Sequence, residues 1–155
     1  MAETAGQGQG QGGGADGDVE LKLRLQAKTG AFWLWAIAAL SVVNTLSALT
    51  SQKVSVFMGL AATAVLDRLA ASGGAGVRAA GLAAALAVAA GFAFLGVLAN
   101  RGKAWAAAVA LGLYALDAVA YGWLGLWPNV AFHALAGFFV VRGFFAQQAL
   151  DERRA

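Results

Sequence analysis

The chain has no cysteine, one histidine and one proline in 155 residues, and only 12% of it is charged. Each shortage excludes something. Without cysteine there is no disulfide framework and no thiolate metal site. With a lone His133, no paired-histidine site and no H-E-x-x-H motif can be present, and no G-x-S-x-G motif occurs either. The shortage of charge is the most informative. A soluble domain carries about 25% charged and about 45–50% apolar residues, whereas this chain is 60% hydrophobic. The net charge of +3 is small and lies beside the apolar runs. It reads as a membrane-topology signal, and nucleic acid is not an expected partner.

What is present is a series of apolar runs. Residues 1–18 are rich in Gly, Gln and acids and are expected to be a disordered tail, having too little apolar surface to offset ordering. Residues 19–30 form a basic juxtamembrane segment carrying Lys22, Arg24 and Lys28. Val19 to Lys28 alternates with period two, which formally argues a strand. No second strand exists to pair with it, so a helical extension of the first span is the preferred reading. Residues 31–148 form the transmembrane domain, and residues 149–155 a charged tail. No cleavable leader is expected, because the first apolar run starts only at Ala31 and is long enough to act as an anchor.

The first span runs from Ala31 to about Thr50, with Trp33 and Trp35 as interfacial anchors. Val54 to Leu66 is apolar for too short a distance to cross before Asp67-Arg68 interrupts it, which suits a re-entrant or half-inserted helix. Val77–Ala99 is a span of small and apolar residues. Ala104–Trp127 is the next, ended by Pro128, and the last runs from Asn129 to about Gln147.

Charge decides between four spans and five. If Val54–Ala71 dips in and returns, Lys22, Arg24, Lys28, Arg101, Lys103, Arg153 and Arg154 lie on one side, leaving Lys53, Arg68 and Arg78 on the other. If it crosses, the basic turns are split against the excess of Lys and Arg expected in the cytoplasm. The expected fold is therefore an all-α polytopic membrane bundle of four transmembrane helices plus one half-inserted helix. Five spans are the alternative.

This topology collects polar residues at one level of the bilayer. Tyr114, Asp117 and Tyr121 share one helical stripe, and Asn129 and His133 share another on the following antiparallel helix. Asn44, Asp117, Tyr121 and His133 lie at depths of roughly 6–14 Å below the outer surface, and the half-inserted helix brings Thr63 and Asp67 to the same side. Three readings follow. In the leading one, Asn44, Thr63, Asp67, Tyr114, Asp117, Tyr121 and His133 hydrogen-bond one another, pinning the half-inserted helix or acting as an interaction element. In the second, Asp117 and His133 serve proton- or cation-coupled transport or sensing. In the third, Asp67, Asp117 and His133 bind a metal in an intramembrane enzyme. One histidine with two distant carboxylates is a thin ligand set, so the sequence weighs against an enzyme. No catalytic residue is assigned and no cofactor is expected. The expected partners are the lipid bilayer and either a second copy of the chain or another membrane protein.

The succession Phe32-Trp33-Leu34-Trp35 with Asn44, Phe57-Met58-Gly59-Leu60 leading to Asp67, Leu113-Tyr114-Ala115-Leu116-Asp117 and Phe132-His133 resembles small uncharacterised bacterial multi-pass integral membrane proteins. The resemblance implies the bacterial cytoplasmic (inner) membrane and brings no activity with it. The charge count adds cytoplasmic N- and C-termini. Cysteines introduced at Lys53 and Arg78 should then both react with an impermeant thiol reagent from outside the cell. Labelling of the two from opposite sides would establish five spans.

Overall fold

The structure is a computed structural model that describes residues 12–49 and 60–154, and within them not the side chains of residues 12–15, 48–49, 67 and 69–70. The described residues form five helices: α1 Gly12–Leu49, α2 Ala61–Ser72, α3 Ala75–Asn100, α4 Ala104–Trp123 and α5 Trp127–Glu152. No strand occurs among the described residues. The alternating stretch Val19–Lys28 is helical, and the Arg24 guanidinium pairs with Glu20 one turn earlier. Helix α1 begins at Gly12, inside the stretch expected as a tail. Extending a helix that already exists needs no new nucleus, so a weakly helical leader can continue it.

Four helices, α1, α3, α4 and α5, are long and apolar enough to cross a membrane. Helix α2 has 12 residues, about 18 Å at 1.5 Å per residue, well short of a hydrocarbon core of about 30 Å. The all-α membrane bundle with one short extra helix is therefore what the chain forms. Val54 to Gly59, the first part of the expected half-inserted segment, lies outside the described residues, as does Lys53.

The spans alternate in direction. Between α1 and α3, the Trp35 indole packs over Gly96, and Trp35, Ala38, Val42, Leu86, Ala89 and Ala93 line one shared groove. Between α1 and α5, the Trp33 indole stacks on Phe139 at 5.1 Å with planes 6° apart. Trp33 is thus a packing residue of the bundle as well as a ring near a span end. Below it, Gly30 and Gly143 let the two backbones touch: a Cβ on Gly30 would stand 2.7 Å from the Gly143 Cα. Such small-residue contacts suit helix association in lipid, where dispersion between close surfaces replaces the hydrophobic drive. The core consists of Leu34, Ile37, Ala38, Leu60, Phe92, Ala110, Tyr114, Ala136 and Val140.

The outer surface is apolar in the reverse sense from a soluble protein. Leu116, Val119, Phe138 and Phe145 are exposed, and contiguous apolar surface on this scale marks contact with something other than water. Two further boundaries differ from expectation. Helix α5 continues to Glu152, into the expected charged tail of residues 149–155. Helix α4 ends at Trp123, not Trp127, because the chain turns at Gly125, which adopts φ 71°. Trp127 and Pro128 open α5, where a proline in the first turn gives up no hydrogen bond.

Substituting Gly30 or Gly143 by Ala should drive α1 and α5 apart and destabilise the bundle by about 1–3 kcal/mol. The reading is a lower unfolding midpoint in detergent. Gly112→Ala, where an added methyl meets open space, should be neutral or slightly stabilising.

Candidate functional site

Helix α2 starts without a local cap. An α-helix leaves its first N–H groups without intrahelical acceptors, and the usual remedy is Ser, Thr, Asp or Asn just before the first turn. Here that residue is Leu60, which has no polar side chain. The missing acceptors arrive from two other helices. The Leu60 N–H donates to Ser41 Oγ of α1 at 3.1 Å. The Ala61 N–H donates to Asp117 Oδ2 of α4 at 2.7 Å, and the Ala62 N–H to Asp117 Oδ1 at 2.9 Å. Ser41 passes its own hydrogen to the Ile37 carbonyl at 2.9 Å. The Thr63 hydroxyl donates to the Leu60 carbonyl at 2.8 Å. The first turn of α2 is thus held on both sides, and Leu60, Ala61 and Thr63 are buried.

A carboxylate at this position meets the positive end of the α2 dipole, an interaction worth up to about 2 kcal/mol where partly buried. Hydrogen bonds from N–H to a charged oxygen are also stronger than neutral ones. The cost is a charge placed inside the bundle, and His133 on α5 offsets it. His133 Nε2 lies 2.9 Å from Asp117 Oδ2, and Nδ1 lies 2.8 Å from the Asn129 carbonyl oxygen.

These two contacts determine the proton count. A carbonyl oxygen only accepts, so Nδ1 carries a hydrogen. Nε2 and Oδ2 then need one further proton between them, since two lone pairs at that distance repel. Whether the proton resides on the ring or on the carboxyl, the Asp117–His133 pair is net neutral. Neutrality is what makes such a pair tolerable at membrane depth, because an uncompensated buried charge is expensive.

Two tyrosines enclose the imidazole. The Tyr114 ring stacks on it at 4.2 Å with planes 16° apart, and the Tyr121 ring meets it edge-on at 5.1 Å. Tyr114, Asp117 and Tyr121 recur at i, i+3, i+7, so one face of α4 supplies both rings and the acid.

The expected cluster is therefore assembled in part. Tyr114, Asp117 and Tyr121 each contact His133, and Thr63 joins through the first turn of α2. Asn44 is not drawn into the network: its Oδ1 is buried with no hydrogen-bond partner, like the Tyr114 hydroxyl. Asp67 is on α2, and its side chain lies outside the described ones. Ser41 and Asn129, both polar members of apolar helices, take roles that the expected cluster did not assign to them. The clue in the sequence was Leu60, a helix start with no capping residue beside it. Among the described residues no group of three or more His, Asp or Glu side chains is placed to hold a metal ion.

No family model, curated protein or solved structure matches this chain.

Asp117→Asn offers one acceptor oxygen and one NH2 group, so one of the two α2 N–H groups would face another donor. An unsatisfied buried donor costs about 1–3 kcal/mol. Amide hydrogen exchange at Ala61, Ala62 and Ala64 should accelerate about ten- to a hundredfold, with exchange across Val140–Leu150 unchanged. Unchanged exchange in α2 would show that Asp117 is not its cap.

Proposed function

We propose that this chain is a multi-pass protein of the bacterial cytoplasmic membrane with cytoplasmic N- and C-termini, in which the Asp117–His133 pair serves as a structural anchor for α2. The cluster is an interaction element within the bundle, and no catalytic step is assigned to it. The observation that carries this reading is the saturation of the pair. Both Asp117 oxygens accept from α2, and both His133 nitrogens face oxygens of the same chain. A site waiting for substrate or metal would leave a group directed into open space. The orientation is supported by the gathering of Arg24, Lys28, Arg101 and Arg154 at the end opposite α2, in line with the cytoplasmic excess of basic residues.

A second reading, proton sensing or proton-coupled transport, is favoured by the single proton shared between Nε2 and Oδ2. Losing it would set a carboxylate against a ring lone pair and loosen the cap of α2. The path beyond favours the structural reading. Beyond Tyr114 toward the basic end, the buried residues of α4 and α5 are Ala110, Ala107, Ala106, Ala136, Val140, Gly143 and Ala146, with no polar side chain until Gln147.

A double-mutant cycle tests the anchor. Asp117→Ala and His133→Ala should each destabilise the fold by about 3–5 kcal/mol, because each leaves its partner unpaired. The double variant should cost less than their sum by about 1–3 kcal/mol. Proteoliposomes of the wild type should show no proton flux above empty vesicles. Flux that is lost in Asp117→Asn would replace the structural reading with the transport one.

A further inference from the structure

At the end of the bundle opposite α2, the start of α1, the α3–α4 turn and the end of α5 surround a cavity of about 270 Å³. Its lining includes four cationic side chains, Arg24, Lys28, Arg101 and Arg154, and no Asp or Glu. Glu20 is engaged with Arg24, at 2.9 Å from its Nε. Asp151 accepts from Gln147 Nε2 at 2.9 Å. Arg24 is thus paired with Glu20, while the cavity keeps three cations, Lys28, Arg101 and Arg154, without an ion-pair partner among the described residues.

The pocket is shaped as well as charged. Gln147, a lining residue, is about nine-tenths buried. The turn beside it contains Gly102 at φ 80°, where an added Cβ would lie 3.3 Å from Gln147 Nε2. The glycine lets the turn lie against Gln147 and brings Arg101 to the cavity wall. Inward, across Ala27, Ala99 and Gln147, lies only a separate space of about 10 Å³ beside Gly30 and Gly143, room for one water at most. The cavity thus ends in a floor, below the size of pockets for drug-sized molecules, about 300–1,000 Å³.

We propose that this pocket binds a phosphate-bearing anion, as a phosphodiester headgroup or as free phosphate. Guanidinium groups match phosphate oxygens bidentately and an ammonium adds a point charge. Basic pockets between helices at a membrane surface suit anionic headgroups, at about 1 kcal/mol per cation.

The test uses the full chain in detergent, titrated with phosphatidylglycerol or phosphatidylcholine and read by native mass spectrometry. A parallel arm follows the thermal midpoint with inorganic phosphate and with chloride at equal ionic strength. The pocket variant is Lys28→Gln with Arg101→Gln. The control is Lys22→Gln with Arg153→Gln, which removes equal charge from exposed positions outside the cavity lining. Preferential phosphatidylglycerol binding, weakened about 25-fold in the pocket variant and less than about twofold in the control, supports the headgroup. Stabilisation by inorganic phosphate but not chloride, lost only in the pocket variant, supports free phosphate. If the double variant does not fold, Arg154→Gln alone should weaken binding about fivefold. No anion preference in the wild type, or equal weakening in pocket and control variants, overturns the proposal.

Discussion

The structure depends on where the first N–H groups of α2 find acceptors. In water an uncapped helix start is a modest defect, because solvent supplies the acceptors. Inside a bundle surrounded by lipid no solvent is available, and each unsatisfied group costs several kcal/mol. The residue before α2 is Leu60, so the acceptors must come from elsewhere. Ser41 and Asp117 provide them, from α1 and α4. One set of hydrogen bonds thereby fixes the short helix to two of the spans at once, and its depth and direction follow from that attachment.

The same attachment explains the chemistry around it. A carboxylate suits a helix N-terminus, yet a full negative charge is expensive in this setting. His133 resolves the conflict by sharing a proton with Asp117, and the Asn129 carbonyl fixes which ring nitrogen is used. The Tyr114 and Tyr121 rings then fill the space around the imidazole. The polar residues of the bundle interior are thus linked in sequence: an exposed backbone requires an acid, the acid requires a proton, and the proton requires a correctly held ring.

The rest of the bundle is held by a different principle. Where Gly30 meets Gly143, the interface works through the absence of side chains, so that α1 and α5 gain dispersion contact along their backbones. The two ends of the molecule also differ in kind. Around α2, Ser41, Thr63, Asp117 and His133 are paired within the chain, although Asn44 Oδ1 and the Tyr114 hydroxyl are buried without a hydrogen-bond partner. Around Arg24, Lys28, Arg101 and Arg154, like charges gather with few internal partners. The first arrangement closes on itself, while the second faces outward.

The membrane bundle was legible in the sequence, because long uncharged runs have one economical solution in lipid. A helix too short to cross was legible after Leu60 as well, although it does not stop at Asp67-Arg68 and continues through them to Ser72. The meeting of Asp117 with His133 was also readable, because a short turn forces the two helices to be neighbours and helical spacing places both residues facing the turn side. Other details were not readable. The boundary at Trp123 depended on Gly125 adopting a left-handed turn, which the apolar pattern does not register. Ser41 looked like any hydroxyl in an apolar helix, and Asn44 looked like a better candidate for the cluster. What composition, charge and periodicity determined were the four long apolar helices and the helical faces that carry Tyr114, Asp117, Tyr121 and His133. What only the tertiary structure decided was the use of those residues. Asp117 proved to be a helix cap supplied from a distant part of the chain, because its partners are backbone N–H groups, and a backbone group leaves no mark in a residue pattern.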